Sequence, residues 1–394
     1  MAEKLRVGVI FGGQSGEHEV SLVSAQGIMQ AMDKEKYEII PIGITKEGRW
    51  LTSGEPMKLL QSPHSVPLSV SPPSRGDERG GAERAEPGTR ELVPRNTCTE
   101  PSRSRRDLVP GTRETGFPQV DVVFPVLHGP YGEDGTVQGL LELADIPYVG
   151  AGVLGSALGM DKIAMKGIFR SYGLPVVEHL ELKRKDWERD HEAMMELIEK
   201  KLGYPCFIKP ANLGSSVGIS KIHERSELAP ALDLAARYDR RMLAERAVNA
   251  REIECSVLGN DEPIASVPGE IVPCREFYDY IAKYIDDRSE LIIPADLSPE
   301  LTRRIQELAI AAFLAVDCAG MARVDFLLDR DTGELYVGEL NTIPGFTPIS
   351  MYPKLWEASG IPYSELIDRL IELALERRAD NSRSETSYSP EQSE

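Results

Sequence analysis

From Met321 to Asn341 the chain reads M-A-R-V-D-F-L-L-D-R-D-T-G-E-L-Y-V-G-E-L-N, two strand-like runs either side of Asp331-Thr332-Gly333. A three-residue hairpin loop with glycine in the left-handed position suits that spacing. Side chains two apart on a strand share a face, so Arg323 goes with Asp325 and Glu339 with Asn341. In that register Asp325 lies opposite Glu339 and Arg323 opposite Asn341. Two carboxylates and an amide oxygen on one patch form a hard oxygen site suited to magnesium held with nucleotide phosphates. The same pattern also describes a solvent-facing salt-bridge ladder. The turn that follows, Thr342-Ile343-Pro344-Gly345-Phe346, weighs toward a site, because Gly345 lets backbone approach a ligand.

Two further groups could do chemistry. Lys209 to Lys221 encloses Ser215-Ser216 between Gly214 and Gly218. Such a loop exposes N–H groups to phosphate and carries lysine charge at each end, though it is not a Walker A sequence and also reads as a flexible hairpin. Phe11-Gly12-Gly13-Gln14-Ser15-Gly16-Glu17-His18-Glu19 is a strand, a glycine turn and a helix start without the G-x-G-x-x-G spacing of dinucleotide sites. Its acids could hold a ligand amine or only favour the helix dipole. His128 follows the strand-like run V-D-V-V-F-P-V-L at 120–127, where a structural histidine and a functional one are both at home.

The elements that must position these residues alternate strand and helix. Residues 5–11, 37–44 and 120–127 read as strands of an open parallel sheet, with helices between them. Helical segments are expected at 154–171 and about 186–202, and a final helix near 364–377. The fold class is mixed α/β. Residues 62–118 break the pattern with nine prolines, nine arginines and eight acidic residues but no lysine, and P-G-T-R-E recurs at 87–91 and 110–114. That composition buries too little apolar surface to offset chain entropy, so a disordered insert is expected, as is a disordered tail at 380–394. A net charge of −18 over 394 residues argues against a polyanion such as nucleic acid as partner. No stretch approaches a membrane span and no signal-peptide pattern is present, so a cytoplasmic location is expected. Five scattered cysteines fit reduced structural thiols better than zinc or disulfides.

Taken together, G-G-Q-S-G-E-H-E-V-S, H-G-P-Y-G-E-D-G-T-V-Q-G, M-D-K, I-K-P-A-N-L-G-S-S-V-G-I-S-K, F-Y-D-Y-I-A-K-Y, R-V-D-F and E-L-N-T-I-P-G-F-T resemble, block by block and in order, the D-alanine–D-alanine ligases of the ATP-grasp superfamily. The resemblance covers nearly the whole chain apart from the insert and the tail. It implies a three-domain ATP-grasp architecture: an N-terminal open-sheet, substrate-binding domain at 1–150 carrying the insert, a central domain at 151–245 and a C-terminal catalytic domain at 246–379. ATP would lie between the last two, contacted by Lys162, Lys209, Ser216, Glu245, Val248, Glu252 and Lys283. Two Mg2+ (or Mn2+) ions would be held by Asp325, Glu339 and Asn341. Glu17 would anchor the first D-alanine near His128, in a triad with Ser215 and Tyr284. Arg323 and the Gly345 N–H would stabilise a tetrahedral intermediate, and Lys283 and Ser350 would lie near the second D-alanine.

The implied reaction is ligation of two D-alanines through an acyl phosphate, for wall-precursor synthesis, by a homodimer. Arg246 departs from the lysine some relatives place there, but keeps a long cation. Relatives that favour D-lactate resemble one another in a histidine within the loop that here reads F-Y-D-Y-I-A-K-Y and has none. Alternative readings are a D-lactate or D-serine ligase of the same family, or an inactive nucleotide-binding regulator, against which the intact Arg323, Asp325, Glu339, Asn341 set speaks.

Overall fold

A computed structural model describes residues 4–61, 118–214, 217–272, 290–347 and 349–385. The expectations placed on the insert at 62–117, on Ser215 and Ser216, on Lys283 and Tyr284 and on the tail from 386 lie outside the described residues.

The chain opens with β1 (Leu5–Gly12), α1 (His18–Ala31), β2 (Tyr37–Ile44), β3 (Trp50–Leu51), α2 (Pro56–Gln61), β4 (Val122–Val126) and α3 (Thr136–Leu143). Its sheet runs β3-β2-β1-β4, with β2 and β4 both parallel to β1. The central strand is covered on both sides from Val7 to Gly12, which is why it carries no polar side chain after Arg6. Val7, Val9 and Phe11 enter one core, and Ile10 enters a second with Ile42, Val123 and Tyr148.

The segment expected as helical over 154–171 is two helices, α4 (Val153–Met160) and α5 (Lys162–Ser171). Asp161 breaks it: its backbone is extended, and its Oδ1 accepts from the Ile163 and Ala164 N–H groups at 3.0 and 2.9 Å. An aspartate so placed caps a new helix instead of continuing the old one. After β5 (His179–Lys183) the expected helix at 186–202 divides in the same way, into α6 (Arg184–Arg189) and α7 (His191–Lys201). Here Asp190 caps the Ala193 N–H at 3.0 Å. Then come β6 (Cys206–Pro210), β7 (Ser220–Ile222), α8 (Arg225–Tyr238) and β8 (Arg241–Arg246). The antiparallel sheet β5-β8-β6-β7 closes its own core around Trp187, Ile198, Ile208 and Leu232.

The last third holds β9 (Ala250–Gly259), β10 (Ile264–Ala265), β11 (Gly269–Val272), β12 (Glu290–Ile292), α9 (Pro299–Ala315), β13 (Gly320–Asp329), β14 (Leu335–Asn341), α10 (Met351–Ala358) and α11 (Tyr363–Asn381). Its sheet follows β12-β11-β9-β13-β14, with β10 on β9. Packing crosses the expected cuts at 151 and 246. Met165 and Phe169 of α5 join the core of this third sheet, and Leu366, Leu370 and Ile371 of α11 join that of the first. α11 also runs past its expected end near 377 and into the stretch expected as a disordered tail, since Asp380 and Asn381 are its last residues. Near that end Arg377 lies 4.4 Å over the Tyr148 ring and donates to the Tyr148 carbonyl at 3.0 Å.

No described helix is long and apolar enough to cross a membrane. Cys206, Cys255 and Cys318 are buried free thiols, pushed by burial up to about 11, 12 and 12.

Candidate active site

The β13–β14 ladder places Arg323 opposite Asn341 and Asp325 opposite Glu339. That pairing agrees with the sequence reading, but it arises differently. Gly333 is left-handed, at φ 74°, as expected. The loop is longer than expected, however, because Asp329 N–H donates to the Glu334 carbonyl at 2.9 Å and leaves Arg330–Gly333 outside the ladder. The additional residue is cancelled by a register shift between Asp325 and Phe326, a bulge at Gly338. A β-carbon on Gly338 would lie 3.1 Å from the Asp325 carbonyl oxygen, so the bulge favours glycine.

On this face Arg323 grips Asp325 with two parallel bonds, Nε to Oδ1 and Nη2 to Oδ2, each 2.7 Å. Its Nε also lies 3.0 Å from Glu254 Oε2. Asn341 Nδ2 donates to Asp325 Oδ2 at 3.0 Å, and Lys162 Nζ is 2.8 Å from Glu339 Oε1. Among the described residues no group of three or more His, Cys, Asp or Glu is placed to hold a metal. The donor set here is two carboxylates and one amide. Such oxygens fit a hard divalent cation that draws its remaining ligands from water or phosphate.

The cationic side comes from α5 and β6. Lys162, 6% exposed, also donates to the Leu213 carbonyl at 2.9 Å, fixing the base of the Gly214–Gly218 loop. Lys209 Nζ is 2.6 Å from Glu245 Oε1. Glu245 is itself buried and lies 2.7 Å from a second ammonium, Lys166 Nζ. Burial would raise the Glu245 carboxyl, but the two lysine charges outweigh it and hold the group at about 2. Burial lowers the Lys166 ammonium despite that carboxylate. Val248 is half-buried in the connection after β8, and Glu252 is half-buried on β9 opposite Leu327.

The third wall follows β1 and β4. Glu17 is buried, and its Oε2 sits where a β-carbon on Gly129 (2.9 Å) or on Gly214 (3.1 Å) would intrude. Its carboxylate therefore nestles between two glycine-bearing loops from different parts of the chain. His128 is 5% exposed, and its Nδ1 donates to the Ile343 carbonyl at 3.1 Å. The ring's Nε2 has no hydrogen-bond partner among the described residues. Burial pushes the imidazole below its ordinary value, which favours the uncharged ring; in that form, with Nδ1 donating, Nε2 is an acceptor.

Two residues that sequence reasoning did not single out belong here. Glu133 accepts from the Gly129 N–H at 2.6 Å and the Ile343 N–H at 3.3 Å, joining the loop after β4 to the turn after β14. Burial and then the Glu17 charge raise its carboxyl to about 8. The other is Lys166, which lies four residues after Lys162. That spacing on a helix was the signal available for it.

Gly345 is packed so closely that a β-carbon would lie 2.8 Å from Ser350 Oγ. Ser350 in turn accepts from the Thr347 N–H at 3.0 Å.

Residues 6–151 match a sequence profile described as D-ala D-ala ligase N-terminus, and residues 168–372 one described as D-ala D-ala ligase C-terminus. The chain is 53% identical over 383 residues to a D-alanine–D-alanine ligase of Thermoanaerobacter pseudethanolicus, covering 97% of this chain and 99% of that protein. With the D-alanine–D-alanine ligase of Natranaerobius thermophilus it shares 48% identity over 387 residues, covering 98% and 99%. Among solved structures, the D-alanine–D-alanine ligase from Coxiella burnetii is similar at a TM-score of 0.75 and 36% identity, covering 97% of each chain. The VanG D-Ala:D-Ser ligase from Enterococcus faecalis is similar at a TM-score of 0.75 and 38% identity, covering 94% of this chain and 100% of that one.

Proposed function

Because the chain belongs to the D-alanine–D-alanine ligase family, we propose that it joins two D-alanines with ATP, through a D-alanyl phosphate, releasing ADP and phosphate. The observation that carries this reading is the ladder face on which Asp325, Glu339 and Asn341 meet Arg323 and the Lys162 ammonium.

A carboxylate is a poor acylating agent because oxide cannot leave. One oxygen of the first D-alanine's carboxylate attacks the γ-phosphorus, the bond to ADP breaks, and phosphate becomes the leaving group. The obstacle is crowding between two anions. Lys162 and Lys209 would hold the phosphates, while Ser216, Val248, Glu252 and Lys283, with the strand end at Glu245, frame the nucleotide. Asp325, Glu339 and Asn341 would hold Mg2+ or Mn2+ as two ions, which when bound neutralise phosphate charge.

Glu17 would accept from the first D-alanine's ammonium, and His128 Nε2 offers a second acceptor beside it. Ser215 and Tyr284 would complete the chain that draws the loops over the site and excludes water. The second D-alanine, near Lys283 and Ser350, attacks the acyl carbon as a neutral amine after losing a proton. The tetrahedral oxyanion would be met by Arg323 and the Gly345 N–H before the C–O bond to phosphate breaks. Action as a homodimer in the cytoplasm, supplying wall precursors, completes the proposal. The high identity to D-alanine ligases favours D-alanine over D-serine as acceptor.

D-alanine labelled with 18O in its carboxylate tests the acyl phosphate. The expected outcome is one labelled oxygen in each phosphate released. Unlabelled phosphate formed together with dipeptide would contradict the proposed path.

A further inference from the structure

Lys166 has no part in the scheme above, yet it is 2% exposed, a buried cation in the middle of α5. Its Nζ ends 2.7 Å from Glu245 Oε2 and donates to the Gly338 carbonyl at 3.1 Å. These partners belong to the two halves of the site. Glu245 is the carboxylate that holds Lys209. Gly338 is the bulge whose additional residue brings Glu339 opposite Asp325. A bulge interrupts the ladder, and the half-buried carbonyl left beside it gains a donor in Lys166; a charged donor binds it more strongly than a neutral one.

We propose that Lys166 is a positioning residue for phosphoryl transfer, pinning the Gly338 bulge, and with it the Asp325–Glu339 pairing, to the Glu245–Lys209 pair. The physical consequence follows from strand periodicity. If the bulge relaxes, β14 slips by one residue against β13, Gly338 takes the place opposite Asp325, and the Glu339 carboxylate turns to the other side of the sheet. A single ammonium would thus keep the acidic face and the Lys209 cation in one frame. The inference rests on the reading of the site as an ATP-dependent ligase centre.

A double-mutant cycle on Lys166→Met and Gly338→Ala tests it. Each variant is read by binding of Mn2+ with a non-hydrolysable ATP analogue, by steady-state kinetics and by thermal unfolding. Lys166→Met is expected to weaken metal–nucleotide binding and lower kcat by about tenfold or more each, with KM for D-alanine within about twofold. Gly338→Ala is expected to act in the same direction, and the double variant to lose no more than the worse single one. Lys166→Arg, which keeps the charge and the donors, should recover part of the binding. Should Lys166→Met lack cooperative unfolding, Lys166→Gln takes its place in the cycle. Losses that multiply in the double variant, or wild-type binding by a variant lacking the ammonium, would overturn the proposal. A wild-type protein that binds the metal–nucleotide but releases no phosphate with D-alanine would sink the ligase reading, while the binding arm still decides the link.

Discussion

Glu133 accepts hydrogen bonds from two backbone N–H groups far apart in the chain, Gly129 and Ile343, and it does so beside a second carboxylate, Glu17. Burial and the charges of Glu17 and Glu339 raise its carboxyl from an ordinary 4.5 to about 8, although both N–H groups pull the other way. A carboxyl raised on folding binds more protons folded than unfolded. Its stabilising contribution is therefore complete below about 4.5 and is lost as the pH climbs through about 8. Thermal unfolding of the ligand-free protein between roughly pH 5 and 9 is expected to show that decline, and Glu133→Gln to flatten it. An unchanged slope in the variant would count against the assignment. Glu245 has the opposite sign: held at about 2 by its two lysines, its contribution is present above 4.5 and fades as the pH falls toward 2. Residue type made neither Glu133 nor Lys166 legible as a site residue, and the spacing of Lys166 from Lys162 was the one signal for either. An acid in a loop and a lysine in a helix ordinarily face water, and nothing in the residue type announces that tertiary packing has enclosed them.

At the scale of elements, the hairpin shows what period-two reasoning reads and what it misses. Which side chains share a face follows from alternation alone, so Arg323 with Asp325 and Glu339 with Asn341 were legible. The loop length and the bulge were not. They offset each other, so an expectation with neither reached the same pairing at 325 and 339. Asp161 and Asp190 were misread in another way: the helical pattern runs through both, and only the side-chain bonds to the N–H groups that follow show each to be a cap. The assignment of the acidic face makes a direct demand. Glu339→Gln keeps the shape of the side chain and removes one charged ligand. It is expected to cost several kcal/mol of transition-state stabilisation, a loss of roughly a thousandfold or more in kcat. Its melting temperature should stay near that of the wild type, since Glu339 is half-buried and Lys162 retains the Leu213 carbonyl. Phosphate release near the wild-type rate by the folded variant would remove Glu339 from the metal site.

For the whole molecule, the site depends on three sheets that do not fold around one another in sequence order. Glu17 and His128 come from the first, Lys209 and Glu245 from the second, and Arg323, Asp325, Glu339 and Asn341 from the third. Strand–helix alternation made the first sheet legible. The return of α11 onto that sheet, and of α5 onto the third, was not, because helix periodicity shows that a face is buried but not what it packs against. Such an arrangement suits a reaction that brings together a nucleotide and two amino acids. The most direct measurement is phosphate release from ATP with D-alanine, L-alanine, D-serine and D-lactate compared near pH 7, alone and in competition, with every product identified by mass. The expected result is release that requires D-alanine, with one D-alanyl-D-alanine formed per phosphate and little mixed product. Release indifferent to D-alanine, or a D-serine or D-lactate conjugate as the main product, would contradict it.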